Sequence, residues 1–216
     1  MTLTRPDRVV VVLGTTTEVG KTWVAARLIE QLRRDGRAVA ARKPVQSFVE
    51  GELTDAEVLA RASSEHPEEV CPPHRWYPLA MAPPMAVEAL GLDPFGISDL
   101  IGELTWPEAV DVGLIEGAGG VRSPIAADGD CVALNNALEP DAVVLVADAS
   151  LGVVNLVRLC ADALDRERLI VHLNRFDAGV DLHQRNRQWL DHDGLSLSTS
   201  VEALARSLEI GPRARG

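Results

Sequence analysis

Short, continuously apolar runs alternate along the chain with segments of helical periodicity. The apolar runs are Val9–Leu13, Ala38–Ala41, Val112–Ile115, Ala142–Ala147 and Leu169–Leu173. Continuous runs of this length are typical of strands buried on both faces of a parallel sheet. The pattern therefore predicts a central parallel sheet with five of its strands at these positions.

Amphipathic segments between the runs predict helices, which are Trp23–Arg34, Thr54–Ser63, Asn155–Leu164 and Val201–Leu208. The second of them opens on Thr-x-x-Glu, the sequence of a capping box. Alternating strands and helices predict a wound α/β fold with helices flanking the sheet, formed by one domain over residues 1–216. The proline-rich segment 63–84 is expected to be a long surface loop.

Composition limits the classes of function. The chain has 216 residues, 46% of them hydrophobic, and a net charge of -11. This acidity argues against nucleic-acid binding, which needs a basic face. Cys71, Cys131 and Cys160 are far apart and predict reduced thiols. The polar start and the lack of a long apolar stretch predict a cytoplasmic protein without a membrane segment.

Residues 14–22, "GTTTEVGKT", follow the first apolar run and open a predicted helix. This context is that of a phosphate loop, in which backbone N–H groups surround the phosphates of a nucleotide, and it predicts a wound α/β fold of the P-loop NTPase type. Lys21 would then reach the terminal phosphates, and the Thr22 hydroxyl would bind Mg2+. The strict pattern has glycine at position 15, whereas here the glycine is Gly14. The alternative is an ordinary helix capped by Thr17 with an exposed Lys21.

Polar residues also follow the other predicted strands. Glu116 ends a strand before a glycine-rich turn, and a carboxylate there can bind Mg2+. Lys43 ends the second strand, where its charge can stabilise a transferring phosphoryl group. The amide of Asn174 suits an adenine edge. The alternatives are a turn glutamate, a solvated lysine and a turn asparagine, respectively.

The loop resembles "GTDTEVGKT", the phosphate loop of dethiobiotin synthetases. Four further segments resemble motifs of that family in its order, and together they span residues 9 to about 176. These segments are "ARKPVQS" (41–47), "LIEGAGGVRSPI" (114–125), "LGVVN" (151–155) and "HLNR" (172–175). The resemblance implies an ATP- and Mg2+-dependent ligase that acts in biotin biosynthesis. Its substrates would be 7,8-diaminononanoate and CO2, and it would work as a homodimer.

The resemblance also implies roles for individual residues. The catalytic residues would be Lys21 and Lys43, and Mg2+ would be held by Thr22, Asp55 and Glu116; for Asp55 the alternative is an acid favoured by the helix dipole. The nucleotide would contact Thr17, Glu18, Val19, Gly20, Lys21, Thr22, Asp55, Glu116, Gly117, Ala118, Gly119 and Asn174. The diamine or its carbamate would contact Thr17, Ser47, Gly152 and Asn155, with free N–H groups near Gly152 holding a carboxylate across a dimer interface.

The chain departs from the family pattern at several positions. Phe48 stands where the family usually has glycine, Thr16 replaces the loop's Asp or Gly, and "APPMAVEA" with Pro84 and Met85 replaces a Pro-His stretch. The late Gly-x-Ile-Pro near the adenine is missing, and "LSLSTSV" stands there instead. The sequence therefore predicts an intact nucleotide and metal half, an altered substrate half and a partly altered base pocket.

Two alternatives stay open at this point. One is a diverged paralogue that ligates another amine or acid, which the departures at Phe48 and Pro84 suggest. The other is a partitioning or scaffold ATPase of the related deviant-loop group. Those proteins carry a second lysine early in the loop, where this chain has Thr15, Thr16 and Thr17, and the short C-terminal segment "ARSLEIGPRARG" does not resemble a membrane helix.

Overall fold

A six-stranded parallel sheet forms the centre of the protein. The structure, a computed structural model, describes residues 5–208. The strands run in the spatial order β10-β9-β8-β1-β5-β2. Their bounds are β1 (Arg8–Gly14), β2 (Val39–Arg42), β5 (Val112–Glu116), β8 (Ala142–Asp148), β9 (Leu169–Asn174) and β10 (Ser196–Ser198). Two small pairs lie outside this sheet, β3 (Gln46–Ser47) with β4 (Trp76–Tyr77) and β6 (Pro124–Ala126) with β7 (Gly129–Asp130).

Helices connect the strands and cover both faces of the sheet. They are α1 (Lys21–Arg34), α2 (Asp55–Ser63), α3 (Pro67–Val70), α4 (Pro83–Ala89), α5 (Ile97–Gly102), α6 (Cys131–Leu138), α7 (Val153–Ala161), α8 (Asp181–His192) and α9 (Val201–Ser207), with a 3-10 turn at Pro73–Arg75. No helix among residues 5–208 is long and apolar enough to cross a membrane.

The central strands are buried on both sides. Along β1, Val9, Val11 and Leu13 belong to the hydrophobic cluster on one face of the sheet, and Val10 and Val12 belong to the cluster on the other face. Successive side chains of a strand point to opposite faces, so a continuous apolar run is required here. The five predicted strands and the wound α/β class are confirmed, and each strand agrees with its prediction to within two residues.

The four predicted helices are present with small shifts at their ends. Thr54 caps α2, and the capping box with Glu57 is formed. Helix α7 begins two residues before its predicted start, directly after Gly152, which has a φ of 94°. The prediction for the last helix ends at Leu208, one residue beyond α9; the final segment 209–216 and the first four residues lie outside the described residues.

The prediction of a long surface loop over 63–84 is wrong. The segment contains α3, the 3-10 turn and β4, and Val70, Cys71 and Tyr77 are buried. Pro67 and Pro73 do not break structure, because they stand at first helical positions, where proline has no hydrogen bond to lose. Cys71, Cys131 and Cys160 are buried free thiols.

Because all six strands are parallel, their carboxyl ends lie at the same edge of the sheet. From β1 the chain passes through α1 to β2 at one end of the sheet, whereas β8, β9 and β10 extend the sheet in the opposite direction. A change of direction of this kind leaves a crevice at the carboxyl end of the central strand. The segment that follows β1, residues 14–20, therefore lies at the expected place for a ligand.

Candidate functional site

The segment after β1 folds back over the start of α1. Gly14 approaches the loop so closely that a Cβ atom on it would lie 2.9 Å from Thr16 O and 2.9 Å from Lys21 Cδ. Gly20 is the N-cap of α1 and has a φ of 89°, which side chains rarely tolerate. A Cβ on Gly20 would also collide with the Asn174 amide. Both glycines are therefore required by the local backbone.

Lys21 lies beneath this loop and its Nζ donates a hydrogen bond to Thr16 O at 3.3 Å. The side chain is largely buried, and the first turn of α1 carries no acidic residue. Burial lowers the pKa of Lys21, and the charge of Lys43 lowers it further. A cation and the free N–H groups of a helix start therefore face the same concavity, which is suited to an anionic ligand.

A polar cluster joins the ends of three other elements to Thr22. The Thr22 Oγ1 atom lies 2.7 Å from Asp55 Oδ1 and 2.9 Å from Glu116 Oε1. Lys43 Nζ lies 2.7 Å from Asp55 Oδ2 and 2.7 Å from Glu116 Oε1, and it donates to Gly117 O at 2.9 Å. Residues from β5, the end of β2, and the starts of α1 and α2 thus converge on one point.

Burial and pairing set the charges of this cluster. Burial alone would lower the pKa of Lys43, but Asp55 and Glu116 raise it above its ordinary value. Burial would raise the pKa of Asp55, but Lys43 and Thr22 hold it below its usual range. Burial raises the pKa of Glu116 against the opposing effect of Lys43. Lys43 is therefore a cation at neutral pH and unsuited to act as a general base.

The oxygen atoms of the cluster fit a magnesium ion. Glu116 Oε2 is buried and, within residues 5–208, has no hydrogen-bond partner. Hydroxyl and carboxylate oxygens are the ligands that Mg2+ prefers, and it commonly uses only one or two carboxylates together with substrate phosphates. Across the described residues, no group of three or more His, Cys, Asp or Glu side chains is placed to hold a metal. The oxygens of Thr22, Asp55 and Glu116 would therefore fit a metal ion only if other ligands, such as substrate phosphates, completed its coordination.

An open cleft of about 640 Å³ lies above the cluster. Its floor includes predicted site residues, namely Thr17, Glu18, Gly20, Lys21, Thr22, Lys43, Ser47, Asp55, Ala118 and Gly119. The Ser47 Oγ atom is buried and, in the part of the chain described, has no hydrogen-bond partner. The lining also contains an apolar set, which we call the rim, consisting of Phe48, Val49, Leu53, Met81 and Pro83; the acidic Glu52 lies among them in the sequence.

Phe48 forms one wall of this cleft. Its backbone N–H donates to Tyr77 O at 3.0 Å, and its ring packs edge-on against Trp76 with centroids 6.3 Å apart. Phe48 is not among the described residues with a positive φ, so the backbone here does not need the glycine that the family usually has. The ring is therefore held by the small β3–β4 sheet.

Asn174 lines a second cavity of about 520 Å³, and Gly20 lines both this cavity and the cleft. Its Nδ2 donates to Val19 O at 2.8 Å, so the end of β9 is tied to the phosphate loop. Gly152 and Asn155 are not brought into either space. They lie exposed at the start of α7, beyond the end of β8.

Sequence reasoning missed two features of the site. Gln46 Oε1 accepts a hydrogen bond from Ala56 N, which fixes the start of α2 and hence Asp55, and Trp23 lines the second cavity. The composition carries a separate signal for the two lysines of the site. Only two of the 21 Lys and Arg residues are lysines, Lys21 and Lys43, and both lie in the site.

Comparison with known proteins gives consistent matches. A family model described as an AAA domain matches residues 8–178. The chain is 38% identical over 163 residues to the ATP-dependent dethiobiotin synthetase of Anaeromyxobacter dehalogenans, covering 74% of this chain and 72% of that protein. The enzyme of the same name from Haloferax mediterranei is 34% identical over 188 residues, covering 83% and 77%.

A solved structure, that of the signal recognition particle receptor FtsY from Elizabethkingia anophelis, aligns with a TM-score of 0.51. It shares 17% sequence identity, and the alignment covers 96% of this chain and 66% of the receptor. At that identity the likeness concerns the fold alone, and it agrees with the parallel sheet and phosphate loop described above.

Proposed function

The chain belongs to the dethiobiotin synthetase family, and we propose that it catalyses the ATP-dependent closure of a cyclic urea from a diamine and CO2. The observation that carries this proposal is the cluster in which Lys43 contacts Asp55 and Glu116 directly beneath the phosphate loop. In this proposal, the terminal phosphate of a bound nucleotide would lie beside this cation and these two carboxylates.

The reaction can be followed atom by atom. One amine of 7,8-diaminononanoate adds to CO2 and loses a proton, giving a carbamate. A carbamate oxygen attacks the γ-phosphorus of ATP, and the bond to the ADP oxygen breaks. The second amine then attacks the carbonyl carbon, phosphate leaves, and the ring of the urea is closed. Both amines must give up protons during these steps.

The protein's part is positioning and charge stabilisation. The loop N–H groups of residues 17–20 would hold the phosphates, and Lys21 and Lys43 would stabilise charge on the transferring phosphoryl group. The hydroxyls of Thr17 and Ser47 would bind the carbamate, and the buried Ser47 Oγ is free to do so within the described residues. Because Lys43 remains protonated, it acts through its charge.

Mg2+, when bound, would neutralise the phosphate oxygens, and Thr22, Asp55 and Glu116 are the residues that would hold it. Asn174, at the end of β9, would contact the base of the nucleotide. The backbone of Gly117, Ala118 and Gly119 approaches the cleft from the end of β5 and would contact the phosphates.

We propose a homodimer in which α7 forms part of the interface. Leu151, just before α7, is 84% exposed, and Leu156 and Leu159 on α7 are exposed as well. A second copy would cover this apolar face and bring Gly152 and Asn155 to the carboxylate of a substrate bound in the neighbouring cleft. Light scattering should give the mass of a dimer for the parent protein and a lower mass for Leu159→Glu.

We also propose a single catalytic domain, a cytoplasmic location and no nucleic-acid or membrane partner. The net charge of -11 supports the absence of a nucleic-acid partner. A diverged ligase that acts on another substrate is the second candidate, because the bulky Phe48 lines the cleft where the family usually has glycine. The scaffold ATPase is disfavoured, since the loop has Thr15–Thr17 where those proteins carry a lysine.

Incubation with ATP, Mg2+, 7,8-diaminononanoate and ¹³C-bicarbonate tests the proposed function. The expected product is a cyclic urea that carries the label at its carbonyl carbon, detected by mass spectrometry, with one ADP formed per urea. ATP turnover that does not depend on the diamine, without labelled urea, would contradict the assignment and favour the diverged ligase.

A further inference from the structure

The third residue of α1 is a half-exposed tryptophan beside the base cavity. Trp23 follows Thr22 directly and is 52% exposed. Its indole lines the cavity of about 520 Å³ together with Gly20 and Asn174. Trp23 is therefore attached to the same helix turn that would hold the phosphates, and it borders the space where the base would lie.

A neighbouring arginine on α1 contacts the Trp23 indole. The Arg27 guanidinium, one helical turn further along α1, lies over the Trp23 ring at 5.7 Å from its centroid. Arg27 also pairs with Glu30, so the guanidinium is held in place on the helix surface. The indole is thus supported from its own helix while it still borders the cavity.

On the polar side of the cavity, a hydrogen bond to Val19 orients the Asn174 amide. Val19 O can only accept, so the Asn174 amide must turn its Nδ2 toward it. Beyond Asn174 the cavity is lined by Thr199 and Ser200, which stand where the family's Gly-x-Ile-Pro is missing. The side chains at this end offer hydrogen bonds to a base edge. The lining also contains Phe176, whose ring packs against the hydrophobic core and lies 6.0 Å, centroid to centroid, from the His183 ring, whereas Trp23 is half exposed.

We propose that the Trp23 indole is the stacking surface for the nucleotide base and supplies binding energy for it. The proposal rests on the proposed use of ATP. Stacking on an aromatic ring is worth more than contact with aliphatic groups, and it tolerates different bases because every base has a π-face. Trp23 is then a residue for base affinity, while Asn174 contributes to the choice of base.

The test compares Trp23→Ala, Trp23→Phe and a matched control, Trp189→Ala. Trp189 on α8 is 60% exposed and also lies beside an arginine, Arg158, but it does not line the base cavity. The probes are a non-hydrolysable ATP analogue and inorganic tripolyphosphate, which has no base. Binding is measured by calorimetry without any diamine, so the outcome is independent of the ligase reaction.

Trp23→Ala should weaken binding of the ATP analogue by roughly 5- to 100-fold and leave tripolyphosphate binding within about twofold. Trp23→Phe should recover most of the affinity, and Trp189→Ala should match the parent. In turnover assays, KM for ATP should rise in Trp23→Ala while kcat is retained.

Equal affinity of Trp23→Ala and the parent for the analogue would overturn the proposal. An equal loss for the analogue and tripolyphosphate would also overturn it, because the tryptophan would then act by shaping the phosphate loop. If the protein closes no urea but Trp23→Ala still loses analogue affinity, the proposed function fails and the stacking surface stands.

Discussion

The floor and the rim of the cleft are built on different principles. On the floor, Lys43 and Glu116 are fully buried, and the two form an ion pair between different elements. On the rim, Val49 and Leu53 are about half exposed and belong to the segment between β3 and α2. A buried ion cannot lose its partner without a large cost, whereas an exposed apolar residue can be replaced cheaply. The floor therefore fixes the chemistry, and the rim can change to fit another substrate.

The strongest test of the floor is Lys21→Ala. We expect ATP turnover to fall by about 10²- to 10³-fold or more, because a charge that faces the terminal phosphates is removed. Burial lowers the pKa of Lys21, so its charge is not favoured by the fold and the variant should melt no lower than the parent. ADP release and thermal melting measure the two effects. Turnover equal to that of the parent would remove the phosphate loop from the proposed mechanism.

Lys43→Met should lose both activity and stability. Turnover should fall by about 10²- to 10³-fold, and the free energy of unfolding should fall by about 3–5 kcal/mol because Glu116 is left buried without its cation. Steady-state kinetics and urea denaturation measure these losses.

The control for Lys43→Met is Arg42→Met, at the neighbouring residue. Arg42 forms a buried pair with Glu65 at 2.6 Å, and neither residue lines the cleft. The control should lose comparable stability and keep its turnover at temperatures where it is folded. If both variants lost turnover equally, Lys43 would be a structural residue only.

Glu116→Gln tests the metal site. Asp55 still pairs with Lys43 in this variant, so the protein should fold. The Mg2+ concentration for half-maximal activity should rise by about 10- to 100-fold, because a carboxylate ligand becomes a neutral amide. Titration of Mg2+ into metal-free protein gives this value. An unchanged metal response, or full activity in a chelator, would exclude Glu116 from a metal site.

Phe48→Gly tests the rim and should have the smallest effect. Removing the ring should widen the cleft and lower KM for the diamine by up to about tenfold while kcat is retained. KM for ATP is the internal control and should not change, because the nucleotide would lie on the floor. A fall in kcat would show that Phe48 positions the reacting groups. The rim would then contribute to the reaction as the floor does, and the contrast between them would be wrong.

Much of this site could be predicted because the strand ends could be predicted. Continuous apolar runs located the parallel strands, and parallel strands bring Lys43 and Glu116 to one edge of the sheet. The positions of Thr22 and Asp55 followed from helix starts that are marked by local sequence. Each of these inferences needed only neighbours in the chain.

The parts that were missed depend on contacts between distant segments. The segment 63–84 was predicted as a loop because prolines were counted as breakers, yet its burial depends on packing against β2 and α2. Helix α8 is mostly polar and buries only Asn186 and Leu190, so it has no clear apolar periodicity. The direction of the Phe48 ring depends on Trp76, 28 positions away in the sequence.

Because lysine is scarce in this chain, its two lysine side chains could serve as site-specific NMR probes of the cleft. Since Lys21 and Lys43 are the only lysines in the chain, reductive methylation with ¹³C-formaldehyde would place side-chain labels nowhere except in the cleft. The resulting methyl resonances could be followed during turnover without mutating the protein. Amine-directed crosslinkers, conversely, would find no lysine on the outer surface, because Lys21 and Lys43 are both buried, so they would not attach the folded protein through its side chains.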